Sequence, residues 1–257
     1  MTLQALIFDV DGTLAETEEV HRRAFNRAFA EAGLDWHWRR ERYRELLKTS
    51  GGKERILRHI REEHPELLAR ADLDEWIAGL HRAKTAHYKA LMAAGEVELR
   101  PGVARLIGEA RAQGLKLAIA TTTTRANIDA LFEATLGREA LDWFAVIVAA
   151  EEAPVKKPDP SVYRVALARL GLPAAACLAI EDTRNGVLAA RGAGVPVLVT
   201  QSFYSAGEDF DGALAVLSDL GEPDRPHQVL AGDIDSRGWV TVDDLRRWLA
   251  SAGQAAA

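Results

Sequence analysis

The chain has 257 residues, 48% hydrophobic and 27% charged, with 32 Lys and Arg against 38 Asp and Glu and a formal net charge of −6. This is the composition of a soluble globular protein of one or two domains, and its acidic balance argues against a nucleic-acid partner, which needs a basic face. The single cysteine, Cys177, excludes an intrachain disulfide and a cysteine-based zinc site; no apolar run approaches the ~20 residues of a membrane span, and Asp9 and Asp11 break any signal-peptide pattern, so no membrane partner and a cytoplasmic location are expected.

Leu3 to Val10 is a short apolar run that stops at Asp-Gly and predicts a buried parallel strand. From Thr17 to about Ala94 the spacing is helical. Val20, Ala24, Ala28 and Ala32 recur on one face before Gly33, and Gly51-Gly52 interrupts the stretch as a loop. After Pro101-Gly102 helices and strands alternate. Helices are predicted over 103–113, 127–136, 159–170 and 185–193, and strands over 115–120, 144–149, 177–180 and 195–200. Cys177 falls in an apolar run and is expected to be buried. This rhythm predicts an α/β fold, a doubly wound, Rossmann-like parallel sheet with a helical unit inserted after the first strand. Residues 201–257 show no clear period.

Ligands of open α/β sheets bind beyond the carboxyl ends of the strands, and four predicted strand ends carry reactive residues. The first is Asp9-Val10-Asp11-Gly12-Thr13. A carboxylate can attack phosphorus, and a second nearby can protonate the leaving oxygen and then deprotonate water. Two solvated turn aspartates are the plain alternative. The second is Thr121, followed by Thr122, Thr123, Thr124 and Arg125. Hydroxyls and backbone N–H groups at a helix start suit phosphate oxygens, although one of these threonines can simply cap the helix. The third is Lys156-Lys157-Pro158, where Lys157, held extended before proline, can offset the charge of the transferring group. The fourth is Glu181-Asp182. With Asp9 and Asp11 these make an oxygen-rich site of the kind Mg2+ prefers, and without a cation so many carboxylates would repel a phosphate.

The ordered set Asp9-Val10-Asp11-Gly12-Thr13, Thr121, Lys157 and Glu181-Asp182 resembles the four motifs of the haloacid-dehalogenase superfamily over about residues 3 to 200. That resemblance implies catalysis by Asp9, Asp11, Thr121 and Lys157, with Mg2+ held by Asp9, Asp11, Asp182 and Glu181. The dehalogenases lack the second aspartate of the first motif, so Asp11 points to phosphoryl transfer. It also implies a core over residues 1–15, a helical cap over 16–97, and a core with a C-terminal extension over 98–257. Glu16-Thr17-Glu18 with His21, Ser50 to Ile56, and Lys156 to Pro160 are similar to the CbbY subfamily. This implies a sugar-bisphosphate phosphatase acting on xylulose 1,5-bisphosphate, an inhibitor of Rubisco.

Specificity is expected from the cap, which closes over such sites. Gly51 and Gly52 permit close approach, and Lys53 and Arg55 offer charge to a second phosphate, which Thr123, Thr124 and Arg125 would meet from the core side. Glu18 and His21 are placed for sugar hydroxyls, and a monomer is expected because one chain supplies its own lid. A phosphomutase of the β-phosphoglucomutase type would share every motif, and a phosphonatase would need Lys53 as a Schiff base. Trp36-His37-Trp38-Arg39-Arg40 is read as cap surface and packing. Asp233 to Asp244 imitates a calcium loop, but Arg237 stands where a ligand oxygen belongs, and a turn before a C-terminal helix is expected.

Overall fold

The computed structural model describes residues 2–255, with side chains through residue 251. Strand β1 (Ala5–Phe8) is buried at all four positions, as a strand covered on both faces must be. Its side chains alternate. Leu6 and Phe8 enter one apolar cluster, and Ala5 and Ile7 enter a second on the opposite face. The other strands are β2 (Lys116–Ala120), β3 (Phe144–Val148), β4 (Cys177–Glu181), β5 (Val197–Thr200), β6 (Val216–Leu217) and β7 (Val229–Ala231). Their order is β3-β2-β1-β4-β5-β6-β7. β1 lies parallel between β2 and β4, so the order reverses beside it, the place where such sheets open a crevice.

Helices α5 (Val103–Ala112), α6 (Arg125–Ala134), α7 (Ser161–Leu170) and α8 (Arg184–Gly192) cover the faces, and Cys177 is buried. One expectation is corrected at the sheet edge. The segment without a clear period adds β6 and then β7, which runs antiparallel. Both strands are too short to show a period, and β7 is exposed throughout. The tail ends in α9 (Val242–Ala255). There Thr241 and Asp244 cap the helix reciprocally, Thr241 N–H donating to Asp244 Oδ2 at 2.9 Å and Asp244 N–H to Thr241 Oγ1 at 3.2 Å. The last acid of the calcium-like loop is thereby spent on a helix start.

The helical insert comprises α1 (Glu18–Glu31), α2 (Arg40–Leu47), α3 (Gly52–Glu63) and α4 (Leu73–Ala93). It has its own apolar cluster, built around Phe25, Phe29, Trp38, Tyr43 and Ile56. Trp36 and Trp38 are buried in it, which makes them packing residues. The two chain crossings into the sheet unit lie side by side, Ala15 bridging Leu99. Next to them Arg100, 8% exposed, donates to the carbonyls of Gly12, Thr200, Gln201 and Ser218. It ties the turn after β1 to the ends of β5 and β6.

Candidate active site

Strand register assembles the site. Phe8 pairs with Ile119 on one side and Ile180 on the other, so Asp9, Thr121, Glu181 and Asp182 leave the sheet at one edge. Asp9 N–H donates to the Ile180 carbonyl at 3.0 Å. Gly12, at φ +83°, turns the chain back under Asp182, and a Cβ there would collide with that carboxylate.

Lys157, 5% exposed, donates from Nζ to Asp9 Oδ1 and Glu181 Oε1, each at 2.6 Å. Tyr163 on α7 donates to Glu181 Oε1 at 2.5 Å. Glu181 Oε1 is thus committed to the lysine and the phenol, while Oε2 is buried without a partner among the described residues. Carboxylate oxygens of Asp9, Glu181 and Asp182 lie within 4.8 Å of one another. Burial, opposed by Lys157 and reinforced by Glu181, pushes Asp9 up to about 7. Burial, then Asp9 and Glu181, push Asp182 well above the carboxylate range. Against the burial that would lower it, Asp9 and Glu181 hold the Lys157 ammonium above its ordinary value. Three buried carboxylates against one ammonium leave negative charge and an unused oxygen, and a divalent cation fits that donor set.

Asp11 points the other way, toward α1. Thr17 Oγ1 donates to Asp11 Oδ1 at 2.5 Å, and His21 Nε2 lies 2.9 Å from the same oxygen. His21 Nδ1 is 2.7 Å from Lys84 Nζ, and the ring stacks on Tyr88 at 4.2 Å. An ammonium can only donate, so Nδ1 accepts and Nε2 carries the proton toward Asp11. Burial raises the Asp11 carboxyl, but His21, Thr17 and Lys84 outweigh it and hold Asp11 far below the carboxylate range. Burial pushes Lys84 down to about 8, opposed by Asp11 and Glu18.

Two cavities meet at Asp11, Arg55 and Thr122. The inner one, about 60 Å³, holds Asp9, Thr121, Lys157 and Asp182. The outer one, about 650 Å³, lies between the helical insert and α6. Its walls carry Lys53, Arg55, Arg82, Lys84 and Lys156 against Asp11, Glu54 and Glu151, a positive surplus suited to an anion. Gly51, at φ +96°, and Gly52 form its rim, and a Cβ on Gly52 would meet His81 and Phe25.

Several expected binders have other employment. Glu18 is buried, and its Oε2 accepts from Tyr43 at 2.6 Å with Arg55 Nη1 3.9 Å from the same oxygen, while the residue also lines the inner cavity. His21 lines the outer cavity with its two nitrogens facing Asp11 and Lys84. Arg125 pairs with Asp129 at 2.8 Å and does not line the outer cavity. Thr121 Oγ1 accepts from Thr123 N–H at 3.2 Å, and Thr123 Oγ1 accepts from Asn127 at 2.9 Å. Thr124 occupies the cap position of α6 without capping it, and its hydroxyl is buried and unpartnered among the described residues. Lys84, His81, Asn127 and Tyr163 were not singled out from sequence. Lys84 carried a signal, a lysine within the apolar stripe Leu80, Lys84, Tyr88, Leu91.

Residues 3–194 match the model of the haloacid dehalogenase-like hydrolase family. The chain is 57% identical over 220 residues to CbbY of Rhodobacter capsulatus, covering 86% of this chain and 95% of that protein. It is 51% identical over 246 residues to the plasmid CbbY of Cupriavidus necator, covering 96% of each. Among solved structures, a mutant CbbY from Rhodobacter sphaeroides in complex with xylulose-(1,5)bisphosphate superposes with a TM-score of 0.79 at 49% identity, covering 85% of this chain and 95% of that one.

Proposed function

The chain belongs to the haloacid dehalogenase-like hydrolase family and is a phosphatase, and from that premise we propose that it is a Mg2+-dependent sugar-bisphosphate phosphatase. Its substrate is xylulose 1,5-bisphosphate, converted to xylulose 5-phosphate and phosphate, and its role is metabolite repair that protects Rubisco. The observation that carries this reading is the outer cavity, cationic and joined at Asp11 to the inner one that holds Asp9. Such a pair of chambers suits a small molecule with an anionic group at each end, and a relative holds such a bisphosphate.

Asp9, Asp182 and the free oxygen of Glu181, with the Asp11 carbonyl, would hold the cation. When bound, it offsets the repulsion between nucleophile and phosphate and polarises the phosphoryl group. Asp9 attacks phosphorus through a carboxylate oxygen and forms an aspartyl-phosphate. Lys157 opposes the burial that favours protonated Asp9 and offsets charge on the transferring oxygens. Asp11 protonates the leaving ester oxygen. Asp11 is held ionised here, but an arriving phosphate dianion raises its pKa, and its ionised form is the base that the second step needs. Water, deprotonated by Asp11, then attacks phosphorus and frees Asp9. Thr121 and Thr122 line the inner cavity and would meet phosphoryl oxygens, and Lys53 and Arg55 line the outer one and would hold the second phosphate.

Phosphate release from a panel of sugar mono- and bisphosphates with Mg2+ tests this reading. Release fastest from xylulose 1,5-bisphosphate is expected, and no release from any bisphosphate would sink it. A phosphomutase would instead yield a phosphate-isomerised product without free phosphate.

A further inference from the structure

The helical insert carries a second group of chemistry-bearing side chains, outside the catalytic cleft, where α3 ends. His59 and Glu63 are four residues apart and share one face of the helix, and His64 follows at its C-cap. One ligand atom from each of the three lies within 4.8 Å of the others, and His59 Nδ1 stands 3.2 Å from Glu63 Oε1. His59 is 3% exposed, yet neither of its ring nitrogens has a hydrogen-bond partner among the described residues. A buried imidazole normally satisfies both.

The surroundings orient the rings. Trp36 and Trp38 meet His59 edge to face, with centroids 4.9 and 5.5 Å away, and Trp36 stacks on His64 at 4.9 Å. A cavity of about 410 Å³ opens over His59, Glu63 and His64. One side is therefore an aromatic wall and the other is reachable from solvent.

We propose that His59, Glu63 and His64 bind a divalent transition-metal ion, such as zinc or copper, at a site separate from the catalytic carboxylates. Two imidazoles and one carboxylate are the donors such ions select, whereas Mg2+ prefers oxygen alone. Tetrahedral bonds of roughly 2.0–2.2 Å need ligand atoms about 3.3 Å apart. The present separation closes by rotating the two outer side chains, Glu63 and His64, which are 46% and 31% exposed. Arg42 Nε lies 2.7 Å from Glu63 Oε1 without making a hydrogen bond to it, and the second carboxylate oxygen is left for the ion. The ion would tie down the far end of α3, the helix whose first turn carries Gly52 and Arg55 into the outer cavity.

The test uses the full, untagged chain with saturating Mg2+ to occupy the carboxylate site. Zinc is titrated by calorimetry and copper is followed by electron paramagnetic resonance. One ion per chain is expected, with couplings from two imidazole nitrogens. His64→Gln, at a partly exposed position, is expected to weaken zinc binding at least tenfold and remove one nitrogen coupling, with Mg2+-dependent hydrolysis unchanged. Glu63→Gln is expected to weaken zinc binding as well. A copper spectrum with oxygen ligands only, or zinc affinity and both couplings retained in His64→Gln, would overturn the proposal.

Discussion

At the residue scale, the site divides into two charge systems of opposite character. Around Asp9, burial exceeds what Lys157 can offset, and the carboxyl rises to about 7. Cation binding requires that carboxylate deprotonated, so protons compete below neutrality. Apparent Mg2+ affinity is expected to fall as pH drops through 7, by up to ~10-fold per unit, measured by calorimetry at a series of pH values. The stability sign follows. A folded-state pKa raised above the unfolded value stabilises at low pH, and that contribution is lost as pH rises through about 7. Mg2+ is therefore expected to raise Tm more at about pH 8 than at about pH 6. Around Asp11 the cations win, and the weak member is Lys84, pushed down to about 8 by burial. Loss of its proton removes support for the Asp11–His21 contact, so the kcat profile is expected to descend near pH 8. Lys84→Arg, which keeps its charge, should move that limb upward, and an unmoved limb would assign it to another group. Asp9, Asp11, Thr121 and Asp182 were legible because each follows an apolar strand, and Lys157, in the loop between β3 and α7, because a proline follows it. Lys84 and Tyr163 were not, because their partners His21 and Glu181 lie 63 and 18 residues away and meet only when α4 packs on α1 and α7 packs on the sheet.

At the element scale, the strands read clearly because a sheet buried on both faces leaves continuous apolar runs. Boundaries shifted by a residue or two where backbone pairing, and not side-chain type, ends a strand. β6 and β7 were invisible because two or three residues carry no period. The helical insert was legible as helix, but the geometry of its rim was not, since it depends on how α3 meets α4. Gly52 sits at that junction against His81 and Phe25. Gly52→Ala is expected to push α3 off α4 and raise KM for the bisphosphate by roughly tenfold while changing kcat less. Arg55 binds the Thr49 carbonyl at 3.1 Å and the Tyr43 hydroxyl at 3.2 Å. Arg55→Gln is expected to raise KM for a bisphosphate more than for the matching monophosphate. Equal losses on both substrates would place Arg55 outside the second-phosphate site.

At the scale of the whole molecule, the proposed function has the sheet unit supply chemistry and the helical insert supply enclosure. Lys156 meets Glu54 at 2.5 Å, Tyr204 donates to Glu19 at 2.5 Å, and Asn185 donates to the Lys48 carbonyl at 3.3 Å. These contacts hold the insert against the sheet, and breaking one exposed pair is expected to cost little stability. The division also explains what sequence conveyed. The candidate catalytic residues are concentrated at three strand ends and in the loop before α7 and survive as motifs, whereas the outer chamber is assembled from α1, α3, α4 and α6 and belongs to no single motif. The most direct measurement is acid-quench mass spectrometry during turnover of a sugar bisphosphate with Mg2+. One phosphoryl group on the peptide that contains Asp9, absent together with activity in a folded Asp9→Asn variant, is the expected result. Continued phosphate release by Asp9→Asn, or a labelled residue elsewhere, would contradict it.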